Sequence, residues 1–112
     1  MLQTVVETPT FIRRAEKLLS SEEHAALIVG LARYPTSGDE IVGTGGVRKL
    51  RFAAKGKGKS GGVRVIYYFH DRDMPIYALV LYGKSERADL TSDERKSVAA
   101  FAAAIKATRK RG

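Results

Sequence analysis

The fold is decided by residues 63–82, VRVIYYFHDRDMPIYALVLY, in which two apolar segments flank a short polar one. In the first segment, Val63 to His70, alternate residues form two faces, as the twofold period of a strand requires. The second segment, Ile76 to Tyr82, is apolar on both faces, which is typical of a central strand. The polar residues Asp71 to Pro75 between them favour a turn. This stretch therefore predicts a β-hairpin at the centre of a sheet.

A strand and two helices are predicted at the beginning of the chain. Leu2 to Glu7 contains a β-branched run that indicates a first strand. Thr8-Pro9 combines an N-cap residue with a proline at the first helical position, and Ser20-x-x-Glu23 is a capping box. Pro35 ends the second helix. The two short helices are therefore expected to form an αα-hairpin.

The remaining elements are a strand and a final helix. Thr36 to Gly46 is predicted to be a turn-rich connection, and Val47 to Ala53 alternates like a strand. Thr91-x-x-Glu94 is a second capping box, which opens a helix that runs to about residue 108. The predicted order is β-α-α-β-β-β-α, an α+β fold whose small, largely antiparallel sheet is packed by helices.

Composition limits the classes of function. The 112 residues are 44% hydrophobic and 29% charged, enough for one core, so we expect a single domain over residues 1–112. Cysteine is absent, which excludes disulfides and thiolate ligands, and His24 and His70 alone are not expected to hold a metal. No signal peptide is apparent, and no apolar stretch approaches the ~20 residues of a membrane span. We expect a cytoplasmic protein without a membrane contact, metal or cofactor.

The charge is strongly basic and unevenly placed. Lys and Arg number 20 against 12 Asp and Glu, a net charge of +8, and no acid occurs from Ile41 to His70. A basic segment of this kind indicates a polyanionic partner such as nucleic acid, or else a solvated lysine-rich loop. The cations of this window are Arg48, Lys49, Arg51, Lys55, Lys57, Lys59 and Arg64.

Three groups of residues are candidates for chemistry. Arg64 lies within a strand among hydrophobic residues, where a cation is either paired or displayed for function. Lys49 and Arg51 project from the neighbouring strand on one face, so three cations could converge and stabilise a pentacoordinate phosphate. Lys84 and Arg87 follow the last strand and add further cations. The alternative for these two residues is a capped turn that leads into the final helix.

Lysines and aromatic residues are candidates for RNA binding. Lys55, Lys57 and Lys59 alternate with glycine in a segment that lacks the spacing of a phosphate-binding P-loop but could reach phosphates along a strand, unless it is simply a mobile loop. Arg48 belongs to the same basic window. Tyr68 shares a face with Arg64 and could stack on a base, although strand tyrosines more often pack in a core.

Three motifs in this order resemble a known family. They are Gly43-Thr44-Gly45-Gly46-Val47-Arg48-Lys49-Leu50-Arg51, then Lys55-Gly56-Lys57-Gly58-Lys59 with Gly61-Gly62-Val63-Arg64-Val65-Ile66-Tyr67-Tyr68, and last Tyr82-Gly83-Lys84-Ser85-Glu86. Together they look like the HigB branch of the RelE/ParE toxins. The resemblance implies a RelE-like fold and a type II toxin that cleaves mRNA in the ribosomal A site through the RNA's own 2′-hydroxyl.

The resemblance also implies site residues and partners. Arg64 matches the strand arginine that contacts the scissile phosphate, Lys49 and Arg51 match the preceding basic pair, and Lys84 and Arg87 fall in the basic stretch after the last strand. The implied partners are the ribosome with its mRNA and a helix-turn-helix, HigA-like antitoxin, through which alone the toxin would reach operator DNA. No tyrosine follows Tyr82, where relatives place one, so the general base stays open.

Two other functions remain open at this point. One is inhibition of DNA gyrase, as in the ParE branch, which does not require convergent cations. The other is a non-catalytic RNA- or ribosome-binding module, for which net charge alone would suffice.

Overall fold

The chain forms three helices and five strands in a mixed α+β arrangement. The structure is a computed structural model that describes residues 2–54 and 62–111, with side chains as far as residue 109. The elements in chain order are β1 (Val5–Glu7), α1 (Pro9–Leu18), α2 (Ser21–Arg33), β2 (Asp39–Glu40), β3 (Val47–Phe52), β4 (Val63–Tyr68), β5 (Ile76–Gly83) and α3 (Ser92–Arg111). The predicted α+β class is confirmed, and the order differs by one added strand.

The added strand is β2, in the segment predicted to be a turn-rich connection. Asp39 pairs with Lys49 and Glu40 with Arg48 in antiparallel register. Opposite charges therefore face each other across the two strands, which stabilises a pairing that is only two residues long. The prediction of a turn-rich connection over 36–46 did not include this strand, because two consecutive polar residues carry no alternation that could identify one.

The predicted caps start the helices as expected. Thr8 accepts a hydrogen bond from the Phe11 N–H at the start of α1, where Pro9 occupies the first helical position. At α2, Ser20 and Glu23 exchange both bonds of a capping box. Because these bonds satisfy amide groups that have no partner within the helix, they fix where α1 and α2 begin.

The sheet has the strand order β1-β5-β4-β3-β2. β1 runs parallel to β5, and the other neighbours are antiparallel. β5 lies between β1 and β4, which explains why Ile76 to Tyr82 is apolar on both faces. The predicted hairpin of β4 and β5 is thus the centre of the sheet.

Each face of the sheet has its own core. The α1–α2 hairpin packs on one face, and α3 packs on the other, where Val98 and Ala102 contact Val47, Ile66 and Tyr68. The α1–α2 core is built from Phe11, Ala15, Leu18, Leu19, Leu27, Leu31, Ala54, Val63, Val65, Tyr67, Ile76, Ala78 and Leu81. None of the helices in 2–54 and 62–111 is long and apolar enough to cross a membrane.

The face that carries α3 changes from apolar to basic along the strands. On β3 the residues of this face are Val47, Lys49 and Arg51, and on β4 they are Tyr68, Ile66 and Arg64. The buried apolar members of both series belong to the α3 core, whereas the cations lie beyond it. The part of the sheet that α3 leaves uncovered is therefore its basic part.

Candidate active site

A cleft of about 390 Å³ opens over the basic part of the sheet. It gathers residues of β3, β4 and the loop after β5, and none of the described residues that line it is acidic. The lining residues are Lys49, Arg51, Arg64, Lys84, Ser85, Arg87 and Ala88. Five cations that sequence reasoning placed on three separate segments thus share one cleft.

The strand register aligns the centre of this cleft. Arg51 lies directly opposite Arg64, and Arg64 lies directly opposite Tyr82 on the next strand. Arg64 is 9% exposed and donates a hydrogen bond of 3.3 Å from Nη1 to the Val63 carbonyl. Like charges directly opposite each other destabilise a sheet, so the Arg51–Arg64 pair is not explained by folding.

A glycine joins β4 to the loop that carries Lys84. Gly62 has a φ of 74° and accepts a 3.1 Å hydrogen bond from the Lys84 N–H. A Cβ atom at Gly62 would lie 2.4 Å from the Phe52 carbonyl oxygen, closer than any real contact. Glycine is therefore required here, and this hydrogen bond ties the beginning of β4 to the loop on the same side of the cleft as Arg64.

Glu94 holds the Arg87 side chain in place at the cleft. The carboxylate receives two hydrogen bonds from the guanidinium, one of them 2.9 Å from Nη2 to Oε2, and the guanidinium carbon lies 4.5 Å from the centre of the Tyr82 ring. The hydrogen bond from Arg87 lowers the pKa of Glu94, and the same bond raises the pKa of Arg87. Arg87 thus has a fixed, fully charged position.

Asp89 holds Lys49 in a similar but looser way. Its carboxylate lies 3.6 Å from Lys49 Nζ and 3.8 Å from the Arg95 guanidinium. The pKa of Asp89 is lowered, first by the Leu90 N–H that donates to it and then by the charge of Lys49. Within the described ranges, Arg51 and Lys84 make no ion pair. The cleft therefore combines two tethered cations with two that are open to a ligand.

Sequence reasoning missed the tethering roles of Asp89 and Glu94. Glu94 was recognised as half of a capping box, and the structure confirms that box, since Thr91 and Glu94 exchange hydrogen bonds of 2.9 and 3.1 Å. Its second role needs Arg87 to fold back onto the helix start, which spacing in the sequence does not reveal. The cluster of acids at 89–94 beside a basic loop was the available signal.

Two residues predicted to bind RNA, Arg48 and Tyr68, are not among the residues that line the cleft. Arg48 projects from the opposite face of β3, where Nη1 donates to the carbonyls of Thr36 and Gly38, so it braces the segment before β2. Tyr68 is 1% exposed within the α3 core, and its hydroxyl contacts His70. Burial leaves Tyr68 no ring face for a base. The predicted residues Lys55, Lys57 and Lys59 lie outside the described residues.

The imidazoles lie apart from the cleft. His24 pairs with Glu7 near the edge of the sheet, and His70 lies 3.8 Å from Asp71 past the far end of β4. No group of three His, Cys, Asp or Glu in the part of the chain described is placed to hold a metal ion. What the cleft itself offers is concentrated positive charge, suited to binding a phosphate and stabilising added negative charge on it.

The comparisons with known proteins agree with this fold. A family model described as the RelE toxin of the RelE/RelB toxin-antitoxin system matches residues 6–112. Among solved structures, the chain is similar to the E. coli toxin RelE in the free state, in a variant with two arginines replaced by alanine. The TM-score is 0.57 at 16% identity, over 89% of this chain and 96% of that chain. That likeness shows the fold alone; because the family model spans nearly all residues, this chain belongs to the RelE toxin family.

Proposed function

We propose that this toxin is an endoribonuclease of the HigB-like branch that cleaves mRNA in the ribosomal A site. As a toxin of a toxin-antitoxin system it has an antitoxin partner. The mRNA cleavage, the HigB-like branch and the ribosome go beyond membership of the RelE toxin family and are proposed here. The three ordered motifs at 43–51, 55–68 and 82–86 support the branch.

The observation that carries the proposal is the row of Arg51, Arg64 and Tyr82 across three neighbouring strands. Arg64 is nearly buried. Arg51 places a second positive charge opposite it, which does not stabilise the sheet. A protein that only blocked another protein would gain nothing from placing two guanidiniums opposite each other. A scissile phosphodiester is negatively charged and becomes more so as the reaction proceeds. Its binding would therefore offset the repulsion between the two guanidiniums.

The reaction needs little covalent chemistry from the protein. The RNA 2′-oxygen attacks the adjacent phosphorus and loses its proton, and the bond from phosphorus to the 5′-oxygen breaks as that oxygen gains a proton. The products are a 2′,3′-cyclic phosphate and a 5′-hydroxyl. Arg64, Arg51, Lys84 and Lys49 would orient the phosphate and stabilise its extra charge, and Arg87 would hold the neighbouring phosphate.

The partners follow from the proposed reaction and branch. The ribosome presents the mRNA, and a HigA-like helix-turn-helix antitoxin neutralises the toxin and provides its link to operator DNA. An adjacent reading frame that encodes such a small helix-turn-helix protein would support the assignment.

Primer extension on ribosome-bound mRNA tests the role of Arg64. We expect Arg64→Ala to reduce the cleavage rate about 100-fold or more, the range found when one preorganised charge donor is removed. Arg13→Ala is the matched control, because Arg13 is exposed on α1 and, among the described residues, its side chain bonds only to Thr10. Thermal unfolding of each variant checks that it remains folded. Unchanged cleavage by a folded Arg64→Ala protein would refute the assignment.

Two further assays separate the other functions. Inhibition of gyrase supercoiling without transcript cleavage would indicate a ParE-like inhibitor. RNA or ribosome binding that falls steeply with salt, without cleavage products, would indicate a binding module.

A further inference from the structure

A second and larger cleft, of about 620 Å³, lies at the far end of β4. It is formed by the end of α2, the segment that follows it and the turn after β4. Its lining residues are Arg33, Tyr34, Pro35, Thr36, Ser37, Phe69, Asp71 and Arg72. Phe69 packs on the α1–α2 side of the sheet, five residues or about 17 Å along the strand from Arg64. The second cleft is therefore separate from the first in both position and face.

The cleft displays an aromatic ring. Tyr34 is 61% exposed, although its backbone is fixed at the end of α2. Its N–H donates to the Gly30 carbonyl, and its own carbonyl accepts the Ser37 N–H. An exposed ring on a backbone that is hydrogen-bonded through both its N–H and its carbonyl offers a surface for stacking.

Two unpaired cations stand beside this ring. Within 2–54 and 62–109, the side chains of Arg33, Arg51 and Arg72 make no hydrogen bond or ion pair, and two of these three line the second cleft. The acid of this cleft, Asp71, is already occupied by Arg109, 2.9 Å away, and by the Asp73 N–H. An arginine at a helix end interacts favourably with the helix dipole, which accounts for Arg33 but not for Arg72.

We propose that this second cleft binds an unpaired RNA nucleotide. The base would stack on Tyr34, the phosphate would pair with Arg33 and Arg72, and the Thr36 hydroxyl would hydrogen-bond to base or sugar. An acidic peptide would need the cations but would have no use for the exposed ring. The proposal rests on the proposed function in that RNA is the ligand, and it gives the toxin an RNA contact remote from the reaction.

Amide chemical shifts of the isotope-labelled protein test the proposal. The probe is a 2′-O-methyl adenylyl dinucleotide, which lacks the nucleophilic hydroxyl and so cannot be cleaved. We expect the amides of residues 33, 34, 36 and 37 and of residues 69–72 to shift on titration. Tyr34→Ala and Tyr34→Leu should weaken this binding by about 5- to 150-fold, the usual effect of losing one stacked base, while Tyr34→Phe retains it. Shifts around Arg64 should be the same in all four proteins.

Three results would overturn the second site. They are an absence of shifts at 33–37 and 69–72, equal binding by Tyr34→Ala and the wild type, and equal affinity for inorganic phosphate or a glutamate-rich peptide. The cleavage assay answers a different question: shifts in this cleft together with no mRNA cleavage would leave the nucleotide site intact and remove only the nuclease.

Discussion

Arg51 is the residue at which folding and the proposed reaction make opposite demands. It faces Arg64 across the β3–β4 ladder, and within the described ranges no carboxylate pairs with it. We predict that Arg51→Thr raises the free energy of unfolding by about 0.5 kcal/mol, because a like-charge pair is replaced by a good strand former. The same change should lower the rate of mRNA cleavage. Urea denaturation and primer extension on the same variant measure the two effects.

The matched control is Arg48→Thr on the same strand. Arg48 points to the other face and donates to the Thr36 and Gly38 carbonyls. This substitution should lower stability without a direct effect on the cleft. If both threonine variants changed stability in the same direction, the argument from the Arg51–Arg64 pair would be wrong.

The contrast between these two arginines shows what the sequence could predict of the site. Strand periodicity placed Lys49 and Arg51 on one face, from which they could converge with Arg64, and all three side chains line the cleft. The same period sends Arg48 to the opposite face, yet the basic composition of the window favoured counting it with the others. The twofold period of a strand shows to which face of the sheet a side chain points, whereas net charge carries no such information. The anchoring by Asp89 and Glu94 depends on how a loop folds back, which neither signal contains.

At the scale of elements, Gly62 determines how β4 enters the sheet. We predict that Gly62→Ala destabilises the protein by about 2 kcal/mol or more, because the left-handed backbone disfavours a side chain and the new Cβ meets the Phe52 carbonyl oxygen. Cleavage should fall as well, since the strand start carries Arg64 and the hydrogen bond to Lys84. Urea denaturation gives the first effect and primer extension the second.

Gly30→Ala provides the opposite expectation within the same fold. Gly30 lies inside α2, and a Cβ there would meet nothing within 4 Å. Alanine should therefore stabilise the helix by about 0.5–1 kcal/mol. Equal destabilisation by the two alanine variants would show that the backbone conformation of Gly62 is not what matters.

The elements were predicted unequally well, for physical reasons. α1, α2 and α3 each begin with hydrogen bonds from short-range side chains, so a few neighbouring residues suffice to place their starts. Long apolar stretches of sequence predict β4 and β5. β2 exists only because β3 lies beside it, and no property of Asp39 and Glu40 by themselves indicates a strand.

At the scale of the whole molecule, charge is unevenly distributed over a small surface. With a net charge of +8 the cationic side chains repel one another, and five of these cations line the cleft. The acids at the start of α3 offset part of this, since Glu94 pairs with Arg87 and Asp89 with Lys49 and Arg95. The stability of the free toxin therefore depends on these carboxylates being ionised.

Acid titration measures that dependence. Arg87 lowers the pKa of Glu94 below its ordinary value of 4.5, so in the window just below 4.5 the unfolded chain binds a proton that the folded chain does not. The stabilisation is complete above this window and is lost as the pH falls through the folded-state pKa. We predict that Glu94→Gln lowers stability at neutral pH and that its difference from the wild type shrinks as the pH falls further below 4.5. Glutamine can keep the capping bond from the Thr91 N–H, so the variant removes the negative charge of Glu94 and the hydrogen bond from Arg87 Nη2 to Oε2. Urea denaturation of both proteins across this range decides the matter, and a difference that stayed constant with pH would contradict the role given to the Arg87–Glu94 pair.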